Sequence, residues 1–152
     1  MIKIDNSLIS NLLTQAAANP RLRQNFDLRS SEADGSQRML NALQPGTVVP
    51  IHRHPNSNES IVLLCGKAEE IFYDGDGRET ECLLMDPAAG SYGCVVPAGC
   101  WHTIVALEPT VIMEAKDGRY GEDGSESFPA TNQGLCLKNC RASLLPIRRA
   151  WI

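Results

Sequence analysis

The chain has 152 residues, of which 43% are hydrophobic and 21% are charged, as is usual for a single soluble globular domain. This composition excludes a wholly disordered chain, a collagen-like chain and a coiled coil. The formal net charge is −4, so the chain lacks the broad basic surface that a nucleic-acid-binding protein requires.

The N-terminal segment is predicted to form a helix over residues 5–18. Asp5 or Asn6 can cap its first turn, apolar residues recur at helical spacing, and Asn19-Pro20 ends it. The polar stretch that follows, residues 20–37, is predicted to be a loop.

From residue 38 onward, short runs rich in Val, Ile, Leu and Thr alternate with turns that contain Gly, Pro and Asp. Such a rhythm without intervening helices predicts an all-β fold, either a closed barrel or a two-sheet jelly roll. We divide the chain into an N-terminal helix and loop (1–37), a barrel (38–118) and a tail of unknown role (119–152). The predicted strands cover residues 38–43, 47–54, 59–65, 67–74, 79–85, 92–97, 101–107 and 110–116.

The three histidines of the chain and one glutamate form a candidate metal site. His52 and His54 are two residues apart on a predicted strand, so their side chains share one face. Glu59 begins the next strand after a turn that can fold it back beside them, and His102 lies on a later strand. Three imidazoles and a carboxylate suit Zn²⁺, Fe²⁺, Ni²⁺, Mn²⁺ or Co²⁺, and they leave coordination positions open for water or a substrate oxygen.

The spacing of these residues resembles the two motifs of the cupin superfamily. The first reads Gly46, five residues, His52, one, His54, four, Glu59, six, Gly66; the second reads Pro97, one, Gly99, two, His102. The resemblance implies a cupin double-stranded β-helix, a jelly-roll barrel, in which these four residues hold the metal.

Residues 8–120 further resemble the WbuC family of cupin-fold metalloproteins. This family implies a small bacterial protein associated with O-antigen or other surface-polysaccharide biosynthesis. The resemblance depends on segments that begin at Asn19, Arg38, His52, Trp101, Ala106 and Glu114.

Three functions are compatible with such a site. The first is an isomerase or epimerase acting on a sugar or nucleotide-sugar. Because every histidine is used as a ligand, its base must be another group, and Glu114, Lys116 and Tyr73 are the main candidates, with Glu69 and Glu70 behind them. The second is an Fe-dependent dioxygenase, and the third is a metal-dependent sugar-binding module without turnover.

Other residues give weaker expectations. Arg38 and Asn41 can bind a carboxylate or phosphate of the substrate, or they can pair with turn backbone or acidic loop residues. Cys136 and Cys140 have poor spacing for a zinc site. No export signal and no apolar run of the roughly 18 residues that span a bilayer are visible. We therefore expect a cytoplasmic protein with reduced cysteines and no membrane partner, and open sheet edges favour a homodimer.

Overall fold

The computed structural model describes residues 1–119 and 121–129. It contains two five-stranded antiparallel sheets and one α-helix, so the all-β jelly-roll prediction is confirmed. The helix α1 spans Asn6–Ala18, and a 3-10 turn spans Pro87–Ala89. The strands are β1 (Arg23–Asp27), β2 (Ser36–Leu43), β3 (His52–Arg53), β4 (Glu59–Cys65), β5 (Ala68–Tyr73), β6 (Glu79–Met85), β7 (Gly93–Val96), β8 (Trp101–Ala106), β9 (Thr110–Asp117) and β10 (Glu126–Ser127).

The two sheets face each other across the main core. The first has the order β1-β2-β9-β4-β7, and the second has the order β10-β3-β8-β5-β6. Apolar side chains of both sheets pack between them at one end, among them Ile61, Leu63, Met85 and Ile104. The other end of the space between the sheets is polar.

Helix α1 covers the outer face of the first sheet. Asp5 accepts hydrogen bonds from the backbone N–H groups of Ser7 and Leu8, which satisfies donors that the first turn would otherwise leave unpaired. Leu12 and Ala16 are buried against Leu40 of β2 and its neighbours. Because one set of alternate residues of β2 and β9 packs on the helix, the other set faces the space between the sheets.

Two strands lie in segments for which no strand is predicted, the loop over residues 20–37 and the tail over 119–152. Strand β1 pairs with β2 from Arg23↔Leu43 to Asp27↔Met39; its sequence is polar because it is an edge strand. Strand β10 pairs with β3. The predicted strand over 47–54 is reduced to His52–Arg53, since Pro50 has no N–H to donate to a ladder.

Within the described ranges, no helix has the length and apolar character needed to cross a membrane. Cys65, Cys94 and Cys100 carry free thiols. Cys136 and Cys140 lie outside the described residues.

Candidate metal centre

Adjacent strands bring the three histidines and Glu59 together. His52 of β3 pairs directly with His102 of β8, and directly opposed residues of an antiparallel pair have their side chains on the same face. His54 follows β3, where its carbonyl accepts a hydrogen bond from Gly99 N, and Glu59 opens β4 on the facing sheet. The four potential ligand atoms lie within 4.8 Å of one another.

The cluster is largely shielded from solvent. His54, Glu59 and His102 are 6%, 5% and 1% exposed, whereas His52 is half-buried. Glu59 Oε2 lies 3.2 Å from His102 Nε2 and 3.4 Å from His54 Nε2. One carboxylate oxygen therefore faces two imidazole nitrogens at a separation that an ion can bridge.

His52 and His102 each form a hydrogen bond through Nδ1, outside the cluster, and this bond determines the tautomer and so the state of Nε2, which faces the cluster. His52 Nδ1 lies 2.9 Å from the carbonyl oxygen of Pro50, and His102 Nδ1 lies 3.0 Å from that of Cys100. A carbonyl oxygen only accepts, so each Nδ1 carries a hydrogen, and the tautomer that this leaves for a neutral ring directs the Nε2 lone pair into the cluster. Lone pairs that face one another and a carboxylate repel unless a cation or a proton lies between them. The donor set thus fits a divalent transition metal.

The electrostatics of the cluster favour the ligating forms of His52 and Glu59. Burial, followed by the influence of His102, lowers the pKa of His52 to about 4, which keeps this imidazole neutral. Burial opposes ionisation of Glu59, but the close contacts with His102 and His54 outweigh it and hold the pKa of this carboxyl well below its usual range. Metal binding requires these forms, neutral imidazole and ionised carboxylate.

The cluster opens into a cavity of about 420 Å³ between the two sheets. Besides Glu59, three glutamates line this cavity: Glu70, Glu114 and Glu126, of which Glu126 is paired with Arg53. Glu114 of β9 accepts a hydrogen bond from Asn41 Nδ2 at 2.7 Å, and Glu70 of β5 is fully buried with no hydrogen-bond partner for either oxygen among the described residues. Burial, and then the charge of Glu59, raises the pKa of Glu114 to about 8. The same two causes, with Glu114 added, raise the pKa of Glu70 well above its ordinary value.

Lys116, Asp123 and Ser125 form a polar group that contacts His54 from outside the cluster. His54 Nδ1 lies 2.8 Å from Ser125 Oγ and 2.7 Å from Lys116 Nζ. Asp123 accepts a hydrogen bond from Ser125 at 2.5 Å and forms an ion pair with Lys116 at 2.8 Å. Although burial opposes it, contact with Lys116 and Ser125 holds the pKa of Asp123 below its usual range.

The structure brings some of the other predicted site residues to the cavity and leaves others outside. Glu114, Lys116 and Asn41 line it. Tyr73 is not among the lining residues, because it is three positions after Glu70 on β5 and so lies on the opposite face of the strand. Arg38 lies on the face of β2 opposite to Asn41 and forms an ion pair with Asp34.

Sequence reasoning missed the contribution of the segment after β9. Asp123 and Ser125 belong to the segment predicted as a tail of unknown role, and they contact His54 and Lys116. They belong to no recognisable motif. The only signal in the sequence is the high content of glycine and polar residues after Asp117, which indicates that the chain turns there.

Fold and site together define a cupin-fold protein with a candidate divalent-metal centre. The chain belongs to the family described as "Domain of unknown function (DUF6016)", whose model matches residues 4–85, more than half of the 152 residues. No curated protein matches the chain.

Solved structures with a similar fold include two cupin-2 domain proteins. One, from Halorhodospira halophila, is 19% identical with a TM-score of 0.54, and the match covers 72% of this chain and 71% of that one. The other, from Rhodospirillum rubrum, is 13% identical with a TM-score of 0.55, and the match covers 72% and 68%.

A third similar structure is the oxalate decarboxylase of Bacillus subtilis, which has Mn(II) centres. It is 23% identical with a TM-score of 0.52, and the match covers 69% of this chain but only 27% of the decarboxylase. These similarities establish the cupin fold, and this chain corresponds to about a quarter of the longer enzyme.

Proposed function

We propose that this protein binds one divalent transition metal through His52, His54, Glu59 and His102, and that it isomerises or epimerises a sugar or nucleotide-sugar. One observation supports this most strongly. The cluster shares one cavity with two carboxyl groups, the buried Glu70 and the half-buried Glu114, and neither forms an ion pair among the described residues.

Glu114 is the proposed proton acceptor. A bound divalent metal supplies polarisation of a carbonyl or an anchor for a diol, which makes a neighbouring C–H acidic. The pKa of Glu114, raised to about 8 by burial first and by Glu59 second, is close to the value at which a general base works best near neutral pH. The hydrogen bond from Asn41 orients its carboxyl.

Glu70 is the proposed proton donor. Burial, followed by the charges of Glu59 and Glu114, raises the pKa of Glu70 well above its ordinary value and so favours the proton-carrying form, and neither oxygen has another partner in the described part of the chain. Lys116 is a poorer candidate for either role, because its ammonium is buried in an ion pair with Asp123. We assign Lys116 to the positioning of His54 instead. Tyr73, whose pKa is raised by burial, stays a prediction without support from its position.

The substrate class and the biological setting extend this proposal. Sugars offer adjacent oxygens that suit both an open metal position and a polar cavity lining. The resemblance to the WbuC family supports a role in the biosynthesis of surface polysaccharide, in the cytoplasm, where nucleotide-sugars are made and used. The Fe-dependent dioxygenase and the binding module without turnover are the competing outcomes of the experiment.

The test measures metal content and carbon-bound hydrogen exchange in parallel. Purified protein is loaded with Zn, Fe, Ni or Mn, incubated in D₂O with a panel of hexoses and nucleotide-activated hexoses, and analysed by NMR and mass spectrometry. We expect His54→Ala to lose the metal. We expect Glu114→Gln to keep the metal but to lose exchange by about a hundredfold or more, while the exposed Glu81→Gln control behaves as the wild type.

The outcomes separate the candidate functions. Equal metal content in the wild type and His54→Ala would refute the site. Metal-dependent sugar binding without deuterium exchange would support the binding module, and oxygen uptake by the iron-loaded form would support the dioxygenase.

We also propose that the protein is a homodimer formed through β7. This strand ends the first sheet, and three large apolar residues around it are exposed: Val62 (43%), Tyr92 (62%) and Val95 (60%). An unpaired apolar edge favours pairing with a second copy. Light scattering at micromolar concentration would give a dimeric mass for the wild type and a monomeric mass for Val95→Lys; a monomeric wild type contradicts the proposal.

A further inference from the structure

Two arginines line the cavity on the side of the first sheet. Arg23 opens β1, where it pairs with Leu43, itself a lining residue. Arg21 precedes it by two positions and also lines the cavity. Arg21 is exposed and Arg23 half-buried, whereas the candidate ligands are mostly buried. The arginines therefore lie on the solvent side of the cavity and the ligands at its interior.

The residue between them has a strained backbone. Leu22 has φ of 56°, and it is the only residue other than glycine with a positive φ in the described ranges. A branched side chain disfavours this conformation. Hydrogen bonds hold it in place, since Leu22 N donates to Asn19 O while Leu22 O accepts from Gln44 N and Thr47 Oγ1. Strained residues that their surroundings fix in this way concentrate at ligand-binding sites.

Arg21 and Arg23 differ from the other five arginines that the structure describes in having no acidic partner. No carboxylate among residues 1–119 and 121–129 forms an ion pair with Arg21 or Arg23. Each of the others has an acidic partner: Arg29 with Asp27, Arg38 with Asp34, Arg53 with Glu126, Arg78 with Asp76 and Arg119 with Glu122. The two guanidinium groups that line the cavity thus keep their donors for a group that enters it.

We propose that Arg21 and Arg23 form an anion-binding subsite for a phosphate or carboxylate group of the molecule whose other end reaches the metal cluster. A guanidinium binds such groups through parallel N–H···O hydrogen bonds. Asn25 and Gln24, which also line the cavity, add neutral polar groups beside the charges. The inference deepens the proposed function, because it identifies the sugar as one that carries an acidic group.

The experiment compares three hexoses that differ in one substituent: glucose, glucose 6-phosphate and glucuronate. Their binding to the full chain is measured by calorimetry with and without Mn²⁺. We expect the charged sugars to bind about tenfold or more tightly than glucose. Arg21→Gln and Arg23→Gln should each remove most of this preference, and Arg78→Gln, which changes a solvent-exposed arginine far along the chain, should leave it intact. The stronger of the two charged sugars distinguishes phosphate from carboxylate as the natural group.

Metal dependence separates this inference from the proposed function. A phosphate held by the arginines should keep its preference when Mn²⁺ is absent, whereas a phosphate that ligates the metal would lose it and would tolerate both arginine variants. Equal binding of charged and neutral hexoses overturns the subsite, as does a preference that survives in the Arg21→Gln/Arg23→Gln double variant. Binding of none of the three at millimolar concentration also overturns it. Failure of deuterium exchange alone leaves the subsite standing and removes only the isomerase proposal.

Discussion

Replacing Glu70 with leucine should make the metal-free protein more stable. Glu70 is 0% exposed, it lies on the inward face of β5 between Ala68 and Phe72, and neither oxygen has a partner in the described structure. Leucine has a similar volume and no polar atoms, so Glu70→Leu removes the unsatisfied groups without leaving a large cavity.

The expected gain follows from the desolvation of the carboxyl. Leaving one buried polar group without a hydrogen bond costs about 1–3 kcal/mol, so Glu70→Leu should raise the free energy of unfolding by about that amount at pH 7. For a chain of this length, each kcal/mol shifts the melting temperature by about 2–4 °C.

The gain should also depend on pH. Burial, followed by the charges of Glu59 and Glu114, raises the pKa of Glu70, so the folded state binds this proton more tightly than the unfolded state. Stability from such a group is fully present below the ordinary glutamic acid pKa and is lost as pH rises toward the raised folded value. The wild type should therefore lose stability relative to Glu70→Leu as pH increases from about 5 to 8.

Urea denaturation in the presence of a chelator provides the measurement, because a bound cation would mask the charges. Glu69→Leu is the matched control: Glu69 is adjacent on the same strand but points to the other face and is only half-buried, so it should give no comparable gain. A Glu70→Leu variant that is equally or less stable, with an unchanged m-value, would refute the reasoning. So would a stability difference that does not widen with pH.

Three other perturbations have defined outcomes. Asp123→Asn leaves the buried ammonium of Lys116 without its partner. It should lower the free energy of unfolding by about 3–5 kcal/mol, measured by urea denaturation, and the metal affinity by about 10–100-fold, measured by metal titration. Wild-type values for both would contradict the role of Asp123. Gly93→Ala places a Cβ 2.1 Å from the Ile61 carbonyl oxygen and should destabilise by about 1–3 kcal/mol in thermal melts, whereas Gly35→Ala, with nothing within 4 Å, should not. Metal at a hundred times its Kd should stabilise the wild type by about 2.7 kcal/mol and leave His54→Ala unaffected; equal stabilisation of both proteins would count against the site.

The sequence predicted the barrel and the ligand cluster because both depend on local patterns. Alternating apolar residues and turns locate strands such as Glu59–Cys65 and Glu79–Met85, and the spacing of His52, His54 and Glu59 is short enough to be recognised directly. The same patterns could not assign a face to Glu114. Its neighbours Val111 and Met113 pack against α1, and this tertiary contact leaves the opposite face of β9, with Glu114, directed into the cavity.

The edge strands were not predictable from their composition. Strand β1 has a single apolar residue, Phe26, which packs against the cluster under α1, while the opposite face lines a polar cavity, so the strand has no apolar alternation to detect. Strand β10 has only two residues, and its pairing with His52 and Arg53 depends on the path of the chain after β9. Both segments contribute to the candidate site through contacts between residues far apart in sequence.

The placement of charge within the cavity links these unpredicted strands to the proposed chemistry. The inner part of the cavity contains three carboxyl groups, Glu59, Glu70 and Glu114, and burial, followed by repulsion from neighbouring carboxylates, raises the pKa of the latter two. The solvent side contains Arg21 and Arg23. A substrate with an oxygen-rich end and an acidic end would complement both regions at once, because the first end suits the metal and the second suits the arginines. The carboxyl groups or the arginines alone would be compatible with a structural role. Because they lie on opposite sides of one cavity, we infer that the cavity binds a molecule in a fixed orientation.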